Sequence, residues 1–243
     1  MRDDEGWAEL CGVEVFSVPP AYPLFATADL RGLLGDPDRR LRALRADGRI
    51  VTIARGVHVV VPDGADRSWL PGAEEVGWRV AAARFGLDVP YVSGLTAASL
   101  HGATARSSAL VHVTVPRQVR ARRLDALGTL LEFHTRDERV LGNPLWHLRR
   151  RDERTYGLDV IGMVGELGIF RVASPVQTVL DLLHSPWRSG SPDRAREAVG
   201  RLLRGIADAE IDPVARGQRR HSAAERIRFQ RLGRWVRDPD LRA

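Results

Sequence analysis

Residues Phe25 to Val61 read FATADLRGLLGDPDRRLRALRADGRIVTIARGVHVVV, and their punctuation sets the fold expected of the chain. Thr27 offers an N-cap hydroxyl, and Ala28, Leu30, Leu33 and Leu34 recur at helical spacing. Gly35 closes that helix, as glycine does where the chain turns left-handed. Asp36-Pro37 starts the next one, with an N-cap carboxylate and a proline in the first turn, where its missing N–H costs nothing. Leu41 and Leu44 share one face of this second helix, Asp38, Arg39, Arg42 and Arg45 point elsewhere, and Gly48 ends it. Ile50, Val51 and Ile53, then Val57, Val59, Val60 and Val61, flank Ala54-Arg55-Gly56 as a hairpin.

Helix, tight turn, arginine-bearing helix and hairpin follow one another in the order of a helix-turn-helix with a wing. That architecture sets a helix into the major groove of DNA. Arg39 and Arg42 lie three apart near the start of the second helix. They are the expected base readers, because a guanidinium pairs bidentately with guanine O6 and N7. Arg40 and Arg45 are expected at phosphates, and Arg55, at the wing tip, at a phosphate or in the minor groove. Asp38 suits a cytosine amino group or, more simply, the helix dipole. The alternative is an ordinary α+β packing unit whose arginines are merely solvated.

Composition narrows the function classes. The chain has 243 residues, room for one or two domains, and 44% hydrophobic residues, enough for a core. A net charge of +6 suits a polyanionic partner. No lysine occurs, so all 37 basic residues are arginine, which excludes Schiff-base catalysis and the Walker lysine. Cys11 is the single cysteine, which excludes an intrachain disulfide or a cysteine-based zinc site. The seven histidines show no HExxH and no paired ligand spacing, so no metal and no cofactor is expected. His101 and His112 are expected to be structural, Ser93 lacks a nucleophile-elbow context, and Asp181 is expected to cap or pair rather than catalyse. No apolar run approaches the ~18 residues of a membrane span, and the start Met-Arg-Asp-Asp-Glu lacks a signal-peptide core. A cytoplasmic, non-enzymatic protein with no membrane partner is expected.

The expected class is α+β, with a winged helix-turn-helix over residues 1–65 and a second α+β domain over 66–243, divided after the turn Pro62-Asp63-Gly64. Trp7 to Leu10 is a candidate bracing helix. In the second part, helices are expected over 73–85, 95–100, 174–183, 194–207 and 223–236. Strands are expected over 111–115, 130–134, 158–164 and 169–172, giving a small sheet with covering helices. Further arginines cluster at 117–123, at 149–154 and in the last helix, at Arg226, Arg228, Arg231, Arg234 and Arg237. Solvated loops are the simpler reading of the first two clusters, an extended nucleic-acid surface the other; the last helix suits a nucleic-acid or a partner surface equally.

Four motifs in order carry a family resemblance: Arg55-Gly56-Val57 at the wing, Val92-Ser93-Gly94-Leu95-Thr96-Ala97-Ala98-Ser99-Leu100-His101-Gly102, Val111-His112-Val113-Thr114-Val115-Pro116, and Ser174-Pro175-Val176-Gln177-Thr178-Val179-Leu180-Asp181-Leu182-Leu183. Over roughly residues 25–205 the chain resembles the AbiEi antitoxins of type IV toxin–antitoxin systems. His58 stands where that family often has a tyrosine after the Arg-Gly-Val triplet. The resemblance implies a winged helix that binds inverted repeats in the chain's own promoter and represses its operon. It also implies a C-terminal domain that counteracts a nucleotidyltransferase-like toxin, and a link to abortive infection. Two other readings remain at this point. One is a stand-alone winged-helix regulator, and the other a winged-helix protein with a degenerate Vsr-like nuclease domain. No lysine and no strand with paired acidic residues after Asp181 speaks for that last reading.

Overall fold

The computed structural model describes residues 24–31, 36–105, 109–136, 158–186, 191–207, 209–210 and 214. The expected helices over 7–10 and 223–236, the Arg149–Arg154 run and the arginines of the last helix lie outside the described residues. The described part is mixed α+β: a three-stranded sheet carrying one helix, and a six-stranded sheet with helices on both faces.

In the first unit, β1 (Leu24–Ala26) leads into a 3-10 turn, Thr27–Leu30. Asp29 Oδ2 reaches back to the Ala26 amide at 2.7 Å and the chain is extended at Arg31; Leu33, Leu34 and Gly35 of the helix expected there lie outside the described residues. Helix α1 (Pro37–Ala46) begins where Asp36-Pro37 predicts, with Asp36 Oδ1 accepting from the Arg39 amide at 3.0 Å. Strands β2 (Ile50–Ala54) and β3 (Val57–Val60) form the expected hairpin, and β1 adds to its other side in the order β1-β3-β2. Thr52 pairs with His58 and Ala54 with Val57, so Ile53 is the extra residue of a β-bulge. Gly56 takes φ +71 at the hairpin turn, where a side chain would be strained.

Both faces of this sheet are covered, which is why its strands read as nearly continuous apolar runs. Ile50, with partly buried Phe25 and Val60, packs on Leu30, Leu41 and Leu44. Ile53, Ala54, Val57 and Val59 enter the core that lies beneath the second sheet. His58 ties the layers: its Nε2 is 2.9 Å from Thr27 Oγ1, its Nδ1 is 3.0 Å from Thr52 Oγ1, and its ring tilts against Phe25. Burial, then the charge of Arg45, lowers its pKa and keeps the ring neutral.

Residues 61–72 connect the units without helix or strand. The second sheet runs β6-β7-β5-β4-β9-β8 and comprises β4 (Tyr91–Val92), β5 (Leu110–Val115), β6 (Arg122–Leu124), β7 (Thr129–Thr135), β8 (Val160–Gly165) and β9 (Gly168–Ala173). It exceeds the small sheet expected, because β4 and β6 join the four strands visible as apolar patterns. The β5–β7 and β4–β9 pairs are parallel and the others antiparallel.

Helix α2 (Ala73–Phe85) covers one face, its Gly77 so close to Val111 and Leu131 that a Cβ would stand 2.9 and 3.0 Å from them. From α2, buried Glu75 accepts backbone bonds from Glu166 and Leu167 at the β8–β9 turn, and Arg79 donates to the Leu167 carbonyl. The opposite face carries α3 (Gly94–Leu100), α4 (Pro175–His184) and α5 (Pro192–Leu202), joined in a second core of Leu95, Ala98, Val179, Leu183, Ala198 and Leu202. Ser174 caps α4 as its sequence predicts, Oγ accepting from the Gln177 amide at 3.0 Å.

Candidate nucleic-acid interface

Each arginine singled out in the first unit is on the surface. Leu41 and Leu44 turn inward, and at about 100° per residue the opposite side of α1 carries Arg39 and Arg42. Arg40 and Arg45 flank the buried side, and all four are exposed. Two of these side chains lie back along the helix, Arg42 Nε donating to the Asp38 carbonyl at 3.3 Å and Arg45 Nε to that of Leu41 at 3.2 Å. Asp38 sits exposed in the first turn, where a carboxylate complements the helix dipole. Arg55 is exposed at the hairpin turn.

The hairpin tip does not stand alone. The Arg55 carbonyl accepts from Arg122 Nη2 at 2.8 Å, and β2 packs beside β6 and the 3-10 turn Asp125–Leu127. Part of the second arginine cluster, 117–123, therefore borders the tip, with Arg117, Arg120 and Arg123 exposed. Arg123 is already engaged, its Nε 3.5 Å from Asp125 Oδ1. Nothing in the spacing along the chain joins Arg55 to Arg122, which are brought together by the packing of one sheet on the other.

The C-terminal motifs converge on the α3/α4 face of the large sheet. Alternation sends Val111, Val113 and Val115 toward α2, and His112 and Thr114 the other way. The Ser93 amide donates to the His112 carbonyl at 3.0 Å, Thr96 Oγ1 accepts from the His112 amide at 3.0 Å, and Thr114 Oγ1 donates to Ser93 Oγ at 2.8 Å. His101 Nε2 lies 2.7 Å from the Ala173 carbonyl, which fits the structural role expected of it. Ser93 Oγ takes part in this bonding as the acceptor from Thr114.

Beside them, Asp181 Oδ2 accepts from the Tyr91 hydroxyl at 3.1 Å, while Asp181 Oδ1 accepts from Gln177 Nε2 at 2.8 Å and from Arg136 Nη1 at 3.2 Å. Arg136 Nη1 also reaches the Tyr91 hydroxyl at 2.9 Å. Asp181 thus forms the ion pair its place in an apolar helix suggested. Burial, reinforced by the Asp181 charge, pushes the Tyr91 phenol up to about 12. One grouping was not visible in the sequence: His112 and Glu132 are Cα partners across β5 and β7, and His134 follows on the same face. Among the described residues no helix is long and apolar enough to cross a membrane.

No family model matches the sequence, and no curated protein matches it. The fold is similar to the crystal structure of the RV2827C protein from Mycobacterium tuberculosis, at a TM-score of 0.53 and 18% identity, over 97% of this chain and 79% of that one. At that identity the likeness concerns the fold alone.

Proposed function

We propose that this chain is a winged-helix protein that binds double-stranded DNA, with α1 in the major groove and the β2–β3 hairpin as the wing. The observation that carries the reading is the exposure of five arginines, Arg39 and Arg42 outermost on α1, Arg40 and Arg45 at its flanks, and Arg55 at the hairpin turn. The element order β1, 3-10 turn, α1, β2, β3, with β1 paired to β3, supports it. In this reading Arg39 and Arg42 read guanines, Arg40, Arg45 and Arg55 hold the backbone or minor groove, and residues 66–243 form the second domain.

The four ordered motifs support a further assignment: an antitoxin of the AbiEi kind, cytoplasmic, that represses its own operon through inverted repeats and counteracts a nucleotidyltransferase-like toxin. Polar side chains of three of those motifs, Ser93, Thr96, His112, Thr114 and Asp181, lie on one face of the large sheet, while their apolar residues fill the two cores. No catalytic step belongs to this reading. Co-expression with the adjacent reading frame tests the antitoxin role. The neighbour is expected to be toxic alone and tolerated with this chain; a harmless neighbour would leave a stand-alone regulator.

A further inference from the structure

Parallel pairing of β5 and β7 sets His112 directly beside Glu132, and His134 leaves the same face two residues on. His112 Nε2 is 3.8 Å from Glu132 Oε2, the two imidazoles meet edge to face at 5.0 Å, and one donor atom from each of the three lies within 4.8 Å of the others. His112 is 2% exposed, yet neither ring nitrogen has a hydrogen-bond partner among the described residues. Of the hydroxyls on this face, Thr96 Oγ1 accepts from the His112 amide and Ser93 Oγ accepts from Thr114. A buried polar atom left unsatisfied is costly, so an imidazole kept in this state calls for something to satisfy it.

We propose that His112, Glu132 and His134 form a binding site for a divalent cation of the zinc class, held by two imidazole nitrogens and one carboxylate oxygen. Nitrogen and oxygen donors in this ratio suit Zn²⁺ rather than soft, thiolate-seeking ions. Bonds of about 2.0–2.2 Å require the three donors to draw closer. The two that would move are at the rim, Glu132 with its side chain 39% exposed and His134 half-buried. His112 is the fixed one: Gly94, at φ +58, lets α3 approach until a Cβ would stand 3.1 Å from its Nδ1. Three protein ligands leave a fourth position for water or for an anionic group of a bound molecule. The cavity on the α3 side of the ring is lined by Thr96, Ser99 and Arg194 as well as His112.

Calorimetric titration of the chelator-treated full chain with Zn²⁺ tests the site, with Co²⁺ absorption as a spectroscopic reporter. One ion per chain and the visible bands of four-coordinate cobalt are expected, with both lost in Glu132→Gln and in His134→Asn. His184→Asn, an exposed histidine of α4, is expected to bind as the unsubstituted chain does. Failure of the unsubstituted chain to take up an ion stoichiometrically overturns the proposal, as does uptake unchanged in both rim variants. Should a rim variant fail to fold, X-ray absorption of the zinc-loaded unsubstituted chain decides: two imidazoles support the site, and a single imidazole or none overturns it.

Discussion

Asp181→Ala removes the acceptor at the centre of the polar cluster between α4 and the large sheet. Three bonds converge on that carboxylate, from Tyr91 at 3.1 Å, Gln177 at 2.8 Å and Arg136 at 3.2 Å. The Arg136 and Asp181 side chains are 9% and 15% exposed, so solvent replaces little of what is lost. Bonds to a charged group contribute about 1.5–3 kcal/mol each. Because the three share one carboxylate they do not add, and removing one member of a buried ion pair costs about 3–5 kcal/mol. We expect Asp181→Ala to lower the unfolding free energy by about 3–5 kcal/mol, read as a fall in the urea midpoint at unchanged slope. Asp181→Asn keeps an acceptor for the Tyr91 hydroxyl and is expected to cost less. A cycle with Arg136→Met is expected to give a coupling of about 1–3 kcal/mol. A loss within about 0.5 kcal/mol, as for a surface substitution, or strict additivity in the cycle, refutes the assignment of this cluster as a brace.

Four further outcomes follow from local geometry. Gly165→Ala places a methyl on the buried Glu75 carboxylate that holds the β8–β9 turn, and a loss of about 1–3 kcal/mol in chemical denaturation is expected. Gly205→Ala, with nothing near its would-be Cβ, is expected to stay within about 0.5 kcal/mol. Tyr91 has a folded-state pKa raised from 10.0 to about 12, so its contribution to stability is full below pH 10 and is lost as pH rises toward 12. Alkaline titration of tyrosinate absorbance is expected to show a late phenol step that coincides with unfolding; Tyr91→Phe abolishes that step. Asp36→Ala removes the α1 cap and is expected to cost about 1 kcal/mol, with weaker DNA binding measured alongside.

What was legible in the sequence follows from where local chemistry is strong. Asp36-Pro37 and Ser174-Pro175 marked the starts of α1 and α4 because a capping side chain and a first-turn proline act within one turn. Val111 to Val115 announced β5 by alternation, and the paired apolar runs around Arg55-Gly56 announced the hairpin. Strands β1, β4 and β6 were missed because they are three, two and three residues long and owe their conformation to neighbouring strands. The arginines of α1 were placed correctly on the surface by helical spacing alone. The contact of Arg122 with the Arg55 carbonyl and the grouping of His112, Glu132 and His134 depend on sheet packing and register, which no spacing along the chain encodes.

The central claim is that α1 reads DNA sequence, and one measurement tests it most directly. Fluorescence anisotropy with DNA from upstream of the chain's own gene, against a scrambled duplex over a salt series, gives a specificity ratio for each variant. The unsubstituted chain is expected to prefer its own site, and Arg39→Ala with Arg42→Ala to erase that preference, at about 1–3 kcal/mol for each bidentate contact. Arg40→Ala is expected to weaken both duplexes equally and to flatten the salt dependence. Equal affinity of the unsubstituted chain for the two duplexes, or a specificity ratio untouched by the double substitution, would contradict the account.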